Sequence, residues 1–291
     1  VDHVLRTTAS PTQANDWALV LAAASIQHRV DEHDGHFALV VHADDAATAT
    51  EALDAFDAEG ATEQQPPAPD LGWSPLGLLC GIGFVAMLLV TGPSAGGSVW
   101  FRAGTASADA IMHGAWWRAV TALTLHEDVL HVAGNTVAAL IFATAVGRWL
   151  GSGLGALAIL AAGFAGNLLT AAVKQTNYFS IGASTATFAA LGIIAGLQVA
   201  RRLRLRTRPG YWWVPIGAGL GMFAMTGVGP GTDYHAHLFG LGFGLLIGVG
   251  GAVAQLKRGW RAPRPLVQAL LGAIALGAVV GSWALAFRHP Y

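Results

Sequence analysis

Acidic charge is almost missing from the last two-thirds of this 291-residue chain. Thirteen of its seventeen Asp and Glu residues lie at or before Asp70, and only Asp109, Glu127, Asp128 and Asp233 follow. Cysteine is nearly absent as well: the single Cys80 sits in an apolar run, which excludes a disulfide within the chain. No basic patch forms, because Lys and Arg fall in short loops between apolar runs, and this excludes a nucleic-acid partner. The opening residues are polar and lack the apolar core of a secretory signal, so none is expected there. What remains is rich in Ala, Gly, Leu and Val, in runs close to the ~20 residues that cross a bilayer. The formal net charge of −1 therefore hides an acidic head on an apolar, mildly basic body.

Residues 1–64 read as a small soluble α/β domain. A helix is expected over 11–25 and another over 46–59, ended by Gly60. Between them His28–Glu32 and His36–His42 flank an Asp-Gly pair, the signal of a hairpin. A proline-rich linker follows over 65–74. Seven spans are then expected at roughly 75–93, 128–148, 154–173, 184–201, 212–228, 237–256 and 266–287. They divide into a six-helix membrane domain (75–256) and a C-terminal part (257–291) with a basic loop, a seventh span and a short tail.

Lys and Arg set the orientation. With the head cytoplasmic, the inner loops hold ten basic residues, among them Arg148, Arg201, Arg202, Lys257 and Arg264. The outer side holds Arg102, Arg118, Lys174 and Arg288, so the positive-inside rule favours this arrangement. Trp73, Trp149, Trp212, Trp213, Trp260 and Trp283 fall at span ends, as an aromatic belt requires. The stretch 97–127 is long for a loop, and its Trp116-Trp117-Arg118 is expected in the interface with the rings at headgroup level.

The second, fourth and sixth spans then all enter from outside, and each opens on a polar residue: His131 with Asn135, Ser184, and His237. Polar groups inside apolar spans are costly and are functional candidates by default. Topology brings these to one depth, which a random scatter would not do.

Ser184 follows Gly182-Ala183 and opens a helix, where unpaired N–H groups can stabilise an oxyanion. His237 could take the serine proton and return it to a leaving amine. Gly240, Gly244 and Gly248 lie on its own helix face, so that helix can approach a partner closely, and the helix of Ser184 is the natural partner. Asp233 lies four residues outside, which points to a serine–histidine dyad rather than a triad. His235 is a rival base, but it falls in the loop. His131 and Asn135, four apart on one face, are donors suited to a developing negative charge.

A zinc site is not expected. His126-Glu127 and His131 resemble a zinc protease motif, but that motif needs its histidines four apart. Here they are five apart, which turns the second about 140° around the helix. His33, His36 and His42 of the head read as a solvated hairpin. No metal and no cofactor is expected.

Together these residues resemble the rhomboid family of intramembrane serine proteases, over about residues 75–256. The matching residues are Trp117-Arg118, His126, His131 and Asn135, then Gly182-Ala183-Ser184, then His237 with Gly240 and Gly244. The resemblance implies an all-α polytopic membrane protein with a rhomboid-like six-helix core, here with a seventh transmembrane helix and the α/β head. It implies Ser184 as nucleophile, His237 as base, His131 and Asn135 at the oxyanion, and Phe188 packed beside the histidine. Substrates would be transmembrane proteins cut within the lipid bilayer, in a bacterial inner (cell) membrane. One departure stands out: Thr185 occupies the place of the family's usual glycine, and its branched side chain is expected to crowd the nucleophile. A client-binding, non-proteolytic membrane protein is the alternative. A transporter is disfavoured because no polar groups line the inner half of the spans.

Overall fold

The computed structural model describes residues 1–63, 70–174, 178–205, 211–227, 232–257 and 263–289. Two compact units result, Val1–Pro66 and Pro67–Tyr291. Residues 65–69 of the expected linker, Arg206, Arg208, Arg258, Arg261 and Trp260 lie outside the described residues.

In the head, β1 (Asp2–Thr8), α1 (Pro11–Ala23), β2 (His28–His33), β3 (His36–His42) and α2 (Ala46–Glu63) follow in order. The sheet is antiparallel with order β1-β3-β2. Ser10 caps α1 by accepting the Gln13 N–H at 3.3 Å, and Pro11 opens its first turn. Asp34 and Gly35 both take positive φ, 49° and 75°, which matches the tight turn joining β2 to β3. One apolar core joins Trp17, Leu21, Ile26, Leu39, Val41, Ala49 and Leu53. Strand β1 was not legible beforehand, because DHVLRTT shows little alternation. Helix α2 runs through Gly60 to Glu63 rather than ending there.

The second unit is a helical bundle. Among the described residues, six helical segments are long and apolar enough to span a bilayer: Leu76–Gly96, Val129–Leu150, Ser152–Lys174, Ser184–Leu203, Tyr234–Ala254 and Pro265–Arg288. The helices proper are α3 (Leu76–Thr91), α4 (Val99–Gly104), α5 (Ala108–Met112), α6 (Arg118–Thr121) and α7 (Val129–Ala138). A π-helical stretch (Ala139–Ala143) joins α7 to α8 (Thr144–Leu150), followed by α9 (Ser152–Lys174). Then come α10 (Ser184–Leu205), α11 (Val214–Thr226), α12 (Tyr234–Lys257) and α13 (Pro265–Arg288). The expected fifth span is the short helix α11, whose 13 residues cover only about 20 Å of a hydrocarbon core about 30 Å thick. The chain is a multi-pass integral membrane protein, all-α in its bundle, with a small α/β head.

The closest packing runs between α10 and α12. Gly240, Gly244 and Gly248 of α12 sit against the backbone carbonyls of Thr185, Ala189 and Ile193. In return Gly192 and Gly196 of α10 sit against the carbonyls of Leu241 and Leu245. Hydrophobic burial drives little helix association in lipid, so close backbone approach between small residues takes its place.

The 97–127 stretch is a folded segment of short helices and a strand. Trp116 is exposed, but Trp117 and Arg118 are buried. The Arg118 guanidinium donates to the carbonyls of Thr105 (2.9 Å) and Arg102 (3.0 Å), so it closes the loop on itself. Thr121 adds a bond to the Gly104 carbonyl at 2.7 Å, and Asn167 of α9 donates to Ala119 at 2.9 Å. Two short strands, β4 (Ala106–Ser107) and β5 (Phe179–Ser180), pair and tie this segment to the loop that leads into Ser184.

Candidate active site

The site assembles where three helices start. Asp128 caps α7 by accepting the His131 N–H at 2.8 Å, which holds His131 in the first turn. Ser184 opens α10, after Gly182 with φ of +123°. Asp233 caps α12 by accepting the Ala236 N–H at 3.2 Å, one residue before His237.

Ser184 Oγ lies 2.7 Å from His237 Nε2. On the other side of the ring, Nδ1 lies 3.0 Å from the Gly227 carbonyl oxygen. A carbonyl can only accept, so Nδ1 carries the proton and Nε2 of the neutral ring is free to accept from the serine hydroxyl. The carbonyl thereby fixes the tautomer that an acidic third member would otherwise fix. Phe188, one turn after Ser184, stacks on the imidazole with centroids 4.7 Å apart. His235 rests instead on Tyr234, ring centroids 4.0 Å apart.

His131 faces the same point. The Glu127 N–H approaches its Nδ1 at 3.4 Å, which makes Nδ1 the acceptor and places the ring proton on Nε2. A Cβ added at Gly182 would stand 2.8 Å from that Nε2 and 3.6 Å from Ser184 Oγ. Only glycine satisfies both the positive φ and this proximity. Asn135 is buried and donates to the His131 carbonyl at 3.0 Å, keeping its side chain on the His131 face. His126, outside the span and fully buried, packs between Phe84 (5.1 Å) and His131 (5.2 Å). Burial, aided by the nearby His131, pushes its pKa down to about 4.

A cavity of about 960 Å³ opens beside these groups, with Ser184, His237, His131, Asn135, Phe188 and Asp233 in its lining. Polar groups converging on an otherwise apolar cleft are the usual form of a small binding or reaction site. An alcohol paired with a correctly protonated imidazole, beside N–H donors, is equipped for acyl transfer.

Thr185 does not crowd Ser184 as its branching suggests. It is buried, and its γ-methyl fills the gap over two glycines: a Cβ added at Gly166 or Gly240 would meet that methyl at 3.0 and 3.1 Å. The helix turns the side chain of each successive residue by about 100°, which sends Thr185 into the seam while Ser184 faces the cavity. Sequence reasoning missed Gly166, and also the carbonyls of Gly227 and Ala122. The last of these accepts the Gly182 N–H at 2.9 Å. Backbone acceptors leave no mark in residue identity.

The Rhomboid domain family model matches residues 113–253, which include every one of these groups except the neighbours that α3 contributes. This part of the chain is a rhomboid domain. Similar proteins agree. The rhomboid protease GluP of Bacillus subtilis is 36% identical over 169 residues, which is 57% of this chain and 32% of that protein. The putative rhomboid protease YdcA of the same organism is 29% identical over 139 residues, 47% of this chain and 68% of that protein. The chain thus spans about a third of the length of GluP.

Proposed function

We propose that the chain is an intramembrane serine endopeptidase that cuts transmembrane segments of membrane proteins through a Ser184–His237 dyad. The observation that carries the reading is the 2.7 Å contact between Ser184 Oγ and His237 Nε2, with Nδ1 committed to the Gly227 carbonyl. Kinship to proteins named rhomboid proteases supports it.

In this mechanism Nε2 takes the hydroxyl proton as Ser184 Oγ bonds to the substrate carbonyl carbon. The carbonyl oxygen becomes an oxyanion facing His131 Nε2–H, the Asn135 amide and the first-turn N–H groups of α10. One such donor typically contributes ~3 kcal/mol to the transition state. The tetrahedral adduct then collapses: the C–N bond breaks, and His237 gives its proton to the leaving amine. Water, deprotonated by the same imidazole, cleaves the acyl-Ser184 ester and restores the hydroxyl.

The substrate must present an extended backbone, since a helical peptide bond is shielded by its own turn. Segments with helix-breaking residues near the membrane surface open at the least cost. The site faces the outer side of a bacterial cell membrane and the head lies in the cytoplasm, by the distribution of Lys and Arg. The working division is a head (1–64), a linker (65–74), a six-helix rhomboid core (75–256) and a seventh helix with its flanks (257–291).

The test treats purified protein in detergent with a serine-reactive fluorophosphonate, beside cleavage of a reconstituted transmembrane substrate. Both signals should vanish in Ser184→Ala and in His237→Ala. Robust labelling that survives Ser184→Ala discards the nucleophile. Client binding without cleavage by the wild type would favour the non-proteolytic alternative.

A further inference from the structure

Helix α13 lies beyond the stretch matched by the rhomboid domain, and the mechanism above gives it no task. It is nevertheless fastened at both ends. Near its start Gln268 accepts the Leu154 N–H (2.9 Å) and donates to the Leu150 carbonyl (2.8 Å). Near its other end Trp283 is buried. Its indole covers Gly104, where no Cβ would fit, and meets Trp100 edge-on at 5.0 Å and Phe287 in a stack at 5.7 Å.

Trp283 Nε1–H donates to Thr124 Oγ1 at 3.1 Å. That hydroxyl donates its own proton to the Thr121 carbonyl at 2.8 Å, so it is an acceptor toward the indole. Thr124 belongs to the short turn 122–124, and this turn reaches the site by two routes. The Ala122 carbonyl holds the Gly182 N–H at 2.9 Å, two residues before Ser184. Two residues after Thr124, His126 packs on His131. The same apolar cluster that holds Trp283 includes Phe101 and Ile181, which line the cavity.

We infer that Trp283 is a positioning residue: through Thr124 the seventh helix fixes the turn 122–124, and the turn fixes the Gly182 loop and the His131 ring around Ser184. The inference rests on the hydrolytic reading for its kinetic consequence, and on geometry alone for its structural one. A three-residue turn has one hydrogen bond of its own to resist distortion, whereas a buried Trp brings a large rigid surface and a fixed donor.

The test uses the full chain with Trp283→Phe, which keeps a ring and loses the N–H, and Thr124→Val, which keeps the shape and loses the acceptor. One neutral hydrogen bond corresponds to a loss of about threefold to tenfold in kcat with KM little changed. The double variant should be no worse than the singles, and Thr124→Ser should restore turnover. Amide exchange over residues 178–184 should quicken by a similar factor in both single variants. Unchanged exchange at that loop overturns the inference whatever the activity, and so do unchanged kcat values or losses that multiply in the double variant. Absent cleavage by the wild type, or cleavage that persists in Ser184→Ala, defeats the hydrolytic reading instead, while the exchange measurement still decides the coupling.

Discussion

Gly244 faces the carbonyl oxygen of Ala189 so closely that a single methyl group would not fit between them. This contact sits one helix turn below Gly240 and Thr185, and two turns below His237 on α12. The spacing of the Ser184 and His237 side chains therefore depends on how near the two backbones can come.

Gly244→Val should push α12 off α10 and cost about 2 kcal/mol or more of stability, the usual scale of overpacking in a tight core. Turnover should fall with it. Gly221→Ala on α11, where a Cβ meets nothing within 4 Å, is the matched control. Thermal unfolding in detergent, read beside substrate cleavage, checks both.

Gly182→Ala strains the loop in two ways, through its φ of +123° and through a Cβ 2.7 Å from the His131 ring. Backbone strain of this kind costs about 1–3 kcal/mol. The loop can relieve it only by moving away from His131. Fluorophosphonate labelling should slow about tenfold or more, while the protein still folds.

Thr185→Gly should not speed turnover. The γ-methyl fills the seam over Gly166 and Gly240 rather than the space above Ser184. Removing it leaves a void and adds a flexible residue to a first helix turn, with an expected loss of about 1 kcal/mol or more in stability. A melting temperature below wild type, with cleavage equal or slower, is the outcome to look for. Faster cleavage would contradict the packing.

His126 makes stability fall with acid. Its folded pKa, about 4, is below the ordinary histidine value of 6.5, so the unfolded chain takes up a proton first as pH drops. The stability present above pH 6.5 is lost progressively toward pH 4, by up to about 3 kcal/mol. His126→Phe should flatten this part of the profile, measured as unfolding midpoints between pH 7.5 and 4.5.

Much was legible in the residues because the membrane simplifies the reading. Hydropathy located the spans, and the 180° reversal at each loop put His131, Ser184 and His237 at one level. Gly240, Gly244 and Gly248 marked a face for close approach, and the Asp-Gly pair marked the hairpin of the head. What covers Trp117, Arg118 and Trp283 was not legible in the same way: all three are buried within the protein. The 97–127 segment folds over itself and supplies the carbonyls that Arg118 meets and the apolar cluster that holds both rings, partners brought from elsewhere in the chain.

The sequence by itself determined which segments are apolar enough to span a bilayer and which polar side chains open them, since hydropathy and span length are local properties. Only the tertiary structure decided which tautomer His237 holds, where the methyl of Thr185 points, and what pins the loop before Ser184. Each of these rests on a backbone carbonyl or a glycine surface brought from a distant part of the chain: Gly227, Gly166 and Ala122. Every residue carries such a carbonyl, so its use as a partner is set by packing alone.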